Sequence, residues 1–179
     1  KGLTRSIHNY FFAKTIDKIR PGGVVAFVTS RYTMDGEDKK LRQYLNDRAD
    51  LVGAIRLPDT AFKKNAGTEV VTDIIFLQKR ESWQKPKDST WLEVTQKETS
   101  KGDYSLNNYF VQHPEMMLGK PAMTGTMYAS ETFTLKPTGE LTQQLPEAVA
   151  RLDKDIYKPL TETAANVTAP AVPAPNEVK

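Results

Sequence analysis

Residues 58–69 read Pro-Asp-Thr-Ala-Phe-Lys-Lys-Asn-Ala-Gly-Thr-Glu, and they bring together the residue types that nucleic-acid binding needs. Phe62 can stack on a base, and the adjacent Lys63 and Lys64 can hold phosphates. Arg56 lies just upstream as a further DNA-contact candidate, and Gly67 and Thr68 come as the segment closes. Loops of this length tend to carry function or to lack order. A plainer reading of the same residues has Phe62 plugging the loop onto the core while the lysines face water. Both readings stand at this level.

Other chemistry is largely excluded. The ten glycines include no G-x-G, so no dinucleotide cradle of the usual kind is present, and there is no P-loop lysine motif. Zero cysteines rule out disulfides, thiolate metal sites and cysteine nucleophiles, and they favour a reducing compartment. His8 and His113 are too far apart in sequence for a short-spaced metal site; one reads as a helix residue, the other, before Pro114, as a turn. No Ser/His/Asp set is suggested by spacing. Asp35, Glu37 and Asp38 crowd a turn that could bind a cation, with a solvated turn ahead of a helix as the alternative.

The elements that must position the loop are set by apolar spacing. Thr4 can cap a helix over about 4–19, with Ile7, Phe11, Phe12, Ile16 and Ile19 as its buried face. Arg20-Pro21-Gly22-Gly23 stops it. The unbroken run Val24–Val28 predicts a strand buried on both faces, central in a parallel sheet. A second helix fits about 37–48 on Leu41, Tyr44 and Leu45, and strands are expected at 51–57 and 70–78. That alternation argues for an α/β layered sheet. The last two strands are joined without a helix, and an antiparallel pair is the favoured arrangement.

Beyond residue 80 the pattern weakens. Thr90–Thr95 reads as a short strand anchored by Trp91. An apolar cluster comes next (Tyr109, Phe110, Met116, Met117, Leu118). Pro146 is placed at the first turn of a helix with Ala148, Val149, Leu152 and Ile156 on one face. Residues 161–179 read as an Ala/Pro-rich linker or tail.

Composition sets the outer bounds. In 179 residues, 39% are hydrophobic and 26% charged, which excludes a disordered chain or a coiled coil as the whole. No apolar run approaches a membrane span, so the expectation is a cytoplasmic protein. Residues 1–80 hold 15 Lys and Arg against 9 Asp and Glu, so they carry the basic excess behind a net charge of only +3. A polyanion would be drawn to that half.

Taken together, these segments resemble N6-adenine DNA methyltransferases. The resemblance is carried by Ile7-His8-Asn9-Tyr10-Phe11-Phe12, by Arg20–Ser30, by Leu51–Pro58, and by Gly67-Thr68-Glu69-Val70 through Thr72–Arg80. It is nearest to the type I modification-subunit-like kind, including methylase–helicase fusions of bacterial mobile elements. Asn107-Asn108-Tyr109-Phe110 and His113–Gly119 are similar to the segment after the methylase core in those fusions.

The resemblance implies a partial Rossmann-like methyltransferase sheet. Strands 24–29, 51–57 and 70–78 would be its fifth, sixth and seventh, the seventh lying antiparallel between its neighbours. It implies S-adenosylmethionine as methyl donor and DNA as substrate, with the 58–69 loop clamping a flipped adenine and Phe62 as its stacking aromatic. Residues 1–80 would be the C-terminal half of the catalytic domain, 81–160 an accessory segment and 161–179 the tail.

The family's glycine-rich cofactor loop and its Asn/Asp-Pro-Pro-Tyr/Phe motif are both missing, and no Pro-Pro dipeptide occurs. The chain opens on Lys1 without an initiator methionine, and the expectation is a fragment whose remaining methylase domain lies upstream, with a helicase possible as a further partner. No catalytic or cofactor-binding residue is assigned within it. The edge of strand 24–29 is expected to stand open and to promote self-association. The alternative is a non-catalytic nucleic-acid-binding or interaction module using the same basic half.

Overall fold

The computed structural model of the chain describes residues 6–125 and 132–157. The expected cap at Thr4 and the expected tail at 161–179 lie outside them. The first helix, α1 (Ile7–Lys18), buries Phe12, Ala13 and Ile16. Phe12 meets Phe27 of the first strand, ring centroids 4.2 Å apart. Ile7 and Phe11, expected on the buried face, are exposed instead, because the sheet meets only the adjacent stripe. After Pro21, Gly22 takes a positive φ of 75°, which favours a residue without a β-carbon, and its N–H reaches Lys79 O at 2.8 Å.

Three strands form the central sheet: β1 (Val24–Ser30), β2 (Ala49–Leu57) and β3 (Thr72–Lys79). Their order is β1–β3–β2. β3 runs antiparallel to both neighbours, pairing Phe27 with Ile75 on one side and Ala54 with Ile75 on the other. The favoured antiparallel pairing of the last two strands is therefore present.

The parallel, doubly buried reading of 24–28 is corrected. β1 is an edge strand among the described residues, it pairs antiparallel, and its Val28 is 60% exposed. The apolar run misleads because β1 has a covered face at Val25 and Phe27, whereas Ala26 and Val28 face outward with nothing packed over them.

Between β1 and β2 lie α2 (Tyr32–Asp35) and α3 (Lys40–Asn46), the second shorter than the expected 37–48. Leu41 and Leu45 of α3 join the core. Arg42, also buried, donates three hydrogen bonds: to Leu92 O from Nε and Nη2, and to Thr33 O from Nη1. It pins the segment around Leu92 onto α3. A short helix, α4 (Lys63–Ala66), stands between β2 and β3.

The segment after β3 is not a separate body. Trp91 sits in a turn of 3-10 helix at Thr90–Leu92, fully buried, where its indole N–H donates to Asn46 Oδ1 at 2.9 Å. The strand expected at 90–95 begins only at Val94. It is β4 (Val94–Lys97), paired antiparallel with β5 (Tyr104–Asn107). Next comes α5 (Asn108–Gln112), capped by the Asn107 side chain, which accepts the Tyr109 N–H.

β6 (Lys120–Gly125) and β7 (Thr132–Lys136) make a second hairpin. One hydrophobic cluster runs from Phe12 and Ile16 through Ile55, Leu77 and Trp91 to Phe110, Leu118 and Ala148, so residues on both sides of position 80 share it. The final helix, α6 (Leu141–Ala150), starts earlier than expected, and Pro146 lies inside it rather than in its first turn. Leu141 and Leu145, ahead of the proline, pack on the core and carry the helix start back toward the chain's amino end.

Candidate functional site

β1 and β2 run the same way, so residues 31–35 and 58–59 emerge at one end of the sheet, where β3 also begins. In open α/β sheets this is the end at which ligands collect. The 58–69 segment lies here. Its middle is α4, which ends on Gly67 at φ +64°, with Gly67 N–H on Lys63 O at 3.1 Å. Nothing stands within 4 Å of where a Gly67 β-carbon would be, so the glycine answers to backbone conformation and not to space.

Phe62 is half-buried and packs against the main core, while Lys63 and Lys64 are exposed and Thr68 is half-buried. Lys63 ion-pairs with Glu69, and that hydrogen bond and charge raise its pKa. Lys64 makes no ion pair among the described residues. The loop therefore presents an anchored aromatic beside one engaged and one unengaged cation.

Arg56 does not belong to this surface. It has no exposed area, and the expectation that it contacts DNA is corrected by where its guanidinium goes. Nε and Nη2 bond both oxygens of Asp73 at 2.7 and 2.8 Å; Nη1 and Nη2 bond both oxygens of Asp35 at 2.8 and 3.0 Å. The ring of Phe110 lies 4.2 Å away. Burial penalises the charged guanidinium, but Asp73 and then Asp35 outweigh it and hold its pKa above the usual arginine range. Burial likewise raises Asp73, against the pull of Arg56.

Arg31 adds a second cation, donating to Asp35 Oδ2 at 3.0 Å, and the Asn107 N–H donates to Asp35 Oδ1 at 2.9 Å. Two arginines balance two aspartates. This cluster ties β2, β3, β5 and the α2 turn after β1 together at the end of the sheet where β2 leads into the 58–69 segment. The arrangement also decides the fate of the acidic turn: Asp35 is buried and arginine-bound, Glu37 and Asp38 are not buried, and no three His, Cys, Asp or Glu among the described residues are grouped to hold a metal ion. His8 is exposed on α1, and His113 closes α5 with its ring 4.7 Å from that of Tyr109.

Beside the loop is a cavity of ≈ 300 Å³ that sequence reasoning missed. Arg31, Tyr32, Asp59, Glu69, Phe133 and Lys136 are among its walls. Asp59 is its most unusual member. Its backbone N–H bonds Leu135 O at 2.9 Å, and its Oδ2 accepts from Thr134 Oγ1 and Lys136 Nζ, both at 2.7 Å. Its Oδ1 is buried without a hydrogen-bond partner among the described residues. A buried acceptor left unmatched costs on the order of 1–3 kcal/mol. An acidic residue after Leu-Pro at a strand end gives no sequence signal of this kind; only the β6–β7 hairpin, unforeseen in the apolar pattern, makes the site.

Comparison with known families defines the class of protein. Residues 4–120 match the N-6 DNA Methylase family, and the chain belongs to it. A 72-residue stretch is 36% identical to the Defense against restriction protein B of Escherichia phage P1. That stretch is 40% of this chain but only 3% of the phage protein, so the chain spans a small part of this relative. No solved structure matches.

The family's methyl donor, S-adenosylmethionine, finds no fitting cradle among the described residues. β1 leads into Arg31 and α2, and β2 leads into Pro58, so neither strand end opens on a glycine-rich turn. No helix among the described residues is long and apolar enough to cross a membrane.

Proposed function

We propose that this chain is the later part of an S-adenosylmethionine-dependent DNA adenine-N6 methyltransferase of the type I modification-subunit-like kind, as found in methylase–helicase fusions. It supplies the last strands of a Rossmann-like sheet and the loop that holds the target base. The observation that carries this reading is the order β1–β3–β2, with β3 antiparallel between two strands of common direction, in a chain of the N-6 DNA Methylase family. On this reading β1, β2 and β3 are the fifth, sixth and seventh strands of the methyltransferase sheet.

Phe62 then stacks on the flipped adenine. Its half-buried ring is anchored on the core and keeps some surface for a base. Lys64 meets the phosphate backbone, and Lys63 joins it at the cost of its bond to Glu69. Gly67 and Thr68 shape the return of the loop into β3. Residues 1–80 are the C-terminal half of the catalytic domain, residues 81–160 an accessory segment that shares its core, and 161–179 a linker.

The cofactor loop and the Asn/Asp-Pro-Pro-Tyr/Phe motif are supplied by sequence outside these residues, because methyl transfer requires both and the chain has neither. The chain alone does not methylate. The phage relative's name, defense against restriction, supports a mobile-element setting in which methylation protects DNA within a restriction–modification contest. Photocrosslinking tests the loop assignment. With 5-iodouracil in place of the target adenine and the chain joined to a methylase segment carrying both motifs, the crosslinked peptide should contain Phe62. Crosslinks mapping only to other elements would overturn it.

A further inference from the structure

We propose that the β6–β7 hairpin is a second DNA-contacting element. Its polar face meets the phosphate backbone of duplex DNA beside the base-binding loop, through Lys120, Thr124 and Thr132. The inference rests on the DNA-methylase reading above and gives the accessory segment a role which that reading does not contain.

The hairpin has two unlike faces. Met123, Phe133 and Leu135 are buried and form a small hydrophobic cluster with Val71, against which Tyr104 and Met117 pack. By strand alternation Lys120, Ala122, Thr132, Thr134 and Lys136 take the opposite face. Thr124, in the irregular step between Met123 and Gly125, is exposed. Among its described residues the hairpin holds cations and hydroxyls but no Asp or Glu. Ammonium and hydroxyl groups are the side-chain donors that hold phosphate oxygens in DNA complexes.

The polar face flanks both ends of the loop. Near the loop's start, the Asp59 N–H donates to Leu135 O at 2.9 Å, and Asp59 Oδ2 accepts from Thr134 Oγ1 and Lys136 Nζ at 2.7 Å each. Near its end, Glu69, Val70 and Val71 share the walls of one cavity with Thr124 and Thr132. A duplex whose base is held by the loop therefore has the hairpin at its side.

Charge supplies the partner's chemistry. Lys120 and Lys136 are direct register partners, and like charges opposed across two strands are destabilising. Asp59 balances Lys136, so that ammonium is already engaged. Glu69, the other carboxylate of the cavity wall, is held by Lys63. Lys120 is exposed and has no ion pair among the described residues. The hairpin is thus left with one surplus positive charge beside the loop, and a phosphate relieves the opposed pair.

The test is binding of the 179-residue chain to fluorescein-labelled duplex DNA, followed by anisotropy across a salt series, without methyl donor. Lys120→Ala should reduce the slope of log affinity against log salt by about 1, and Lys120→Arg should keep it. Thr132→Val should weaken binding about fivefold, the scale of one hydrogen bond, at an unchanged slope. Lys85→Ala, an exposed cation on the segment that follows β3 at the other end of the sheet, should change neither. In 15N–1H NMR of the same complex, amide shifts should include residues 120, 124 and 132. A wild-type slope in Lys120→Ala, an equal loss in Lys85→Ala, no shift on the hairpin, or no binding at low salt would overturn the proposal. A slope lowered by Lys64→Ala but not by Lys120→Ala would remove the hairpin and leave the loop reading standing. A chain that binds through Lys120 but transfers no methyl group once joined to the absent motifs would do the reverse.

Discussion

Arg56 and Asp73 are direct register partners across β2 and β3, and their side chains close a two-pronged pair of 2.7 and 2.8 Å with no exposed surface on either residue. With Asp35 gripping the other side of the same guanidinium, Arg56 is the joint that holds the ends of β2 and β3 to α2. Truncating one member strands the others as buried charges. Arg56→Ala should therefore lower stability by about 3–5 kcal/mol, read by urea denaturation. Arg56→Lys should recover little of the loss, since one ammonium cannot serve two carboxylates in this fork geometry. A loss below about 1 kcal/mol for Arg56→Ala would show that the pair is not closed in solution.

The fork also explains why this position reads differently in sequence. There, Arg56 is a cation just ahead of a loop with two lysines, and a DNA contact is the natural inference. What cannot be seen is that Asp35 and Asp73, distant along the chain, arrive at the same point once β3 inserts between β1 and β2. The antiparallel pairing of β2 and β3 was legible from a connection read as helix-free, although that connection holds the four-residue helix α4. Trp91 as an anchor was legible too. The character of β1 was not: Val24–Val28 is apolar throughout, yet only alternate residues are covered in the described structure. The β6–β7 hairpin left no clear alternation, and with it went the cavity and the role of Asp59.

The loop's closure depends on Gly67. At φ +64° with open space around its α-carbon, the only obstacle to a side chain is backbone strain. Gly67→Ala should cost about 1 kcal/mol locally, seen as faster hydrogen exchange at the amides of residues 66 and 67, which close α4. Gly67→Asn should be milder, because asparagine tolerates the left-handed region. Equal exchange in Gly67→Ala and wild type would mean that the turn is not populated.

The two lysines should separate in DNA binding. Lys64 is without an ion pair among the described residues, whereas Lys63 is held by Glu69. Lys64→Ala should reduce the slope of log affinity against log salt by about 1, and Lys63→Ala by less. Fluorescence anisotropy with a duplex at several salt concentrations measures both. Identical slopes for wild type and Lys64→Ala would remove this residue from the interface.

The open side of β1 should make the chain self-associate. Val28 is exposed on that strand, and no described strand covers its outer edge. Light scattering after size exclusion should give a mass above that of one chain, and Val28→Lys should shift it toward the monomer, as charge blunts a sheet edge. A clean monomer for the wild-type chain would contradict this.

On the proposed reading, these residues handle the target base of an adenine-N6 methyltransferase and depend on other sequence for the cofactor and the catalytic motif. Transfer of labelled methyl from S-adenosylmethionine to unmethylated genomic DNA, with N6-methyladenine read by mass spectrometry, tests it most directly. No product is expected from the chain alone. Joined to a methylase segment carrying the two absent motifs, it should produce N6-methyladenine, at a rate that Phe62→Ala lowers by about tenfold or more, the scale of one lost stacking contact. Product from the chain alone, or a joined enzyme indifferent to Phe62→Ala, would contradict it.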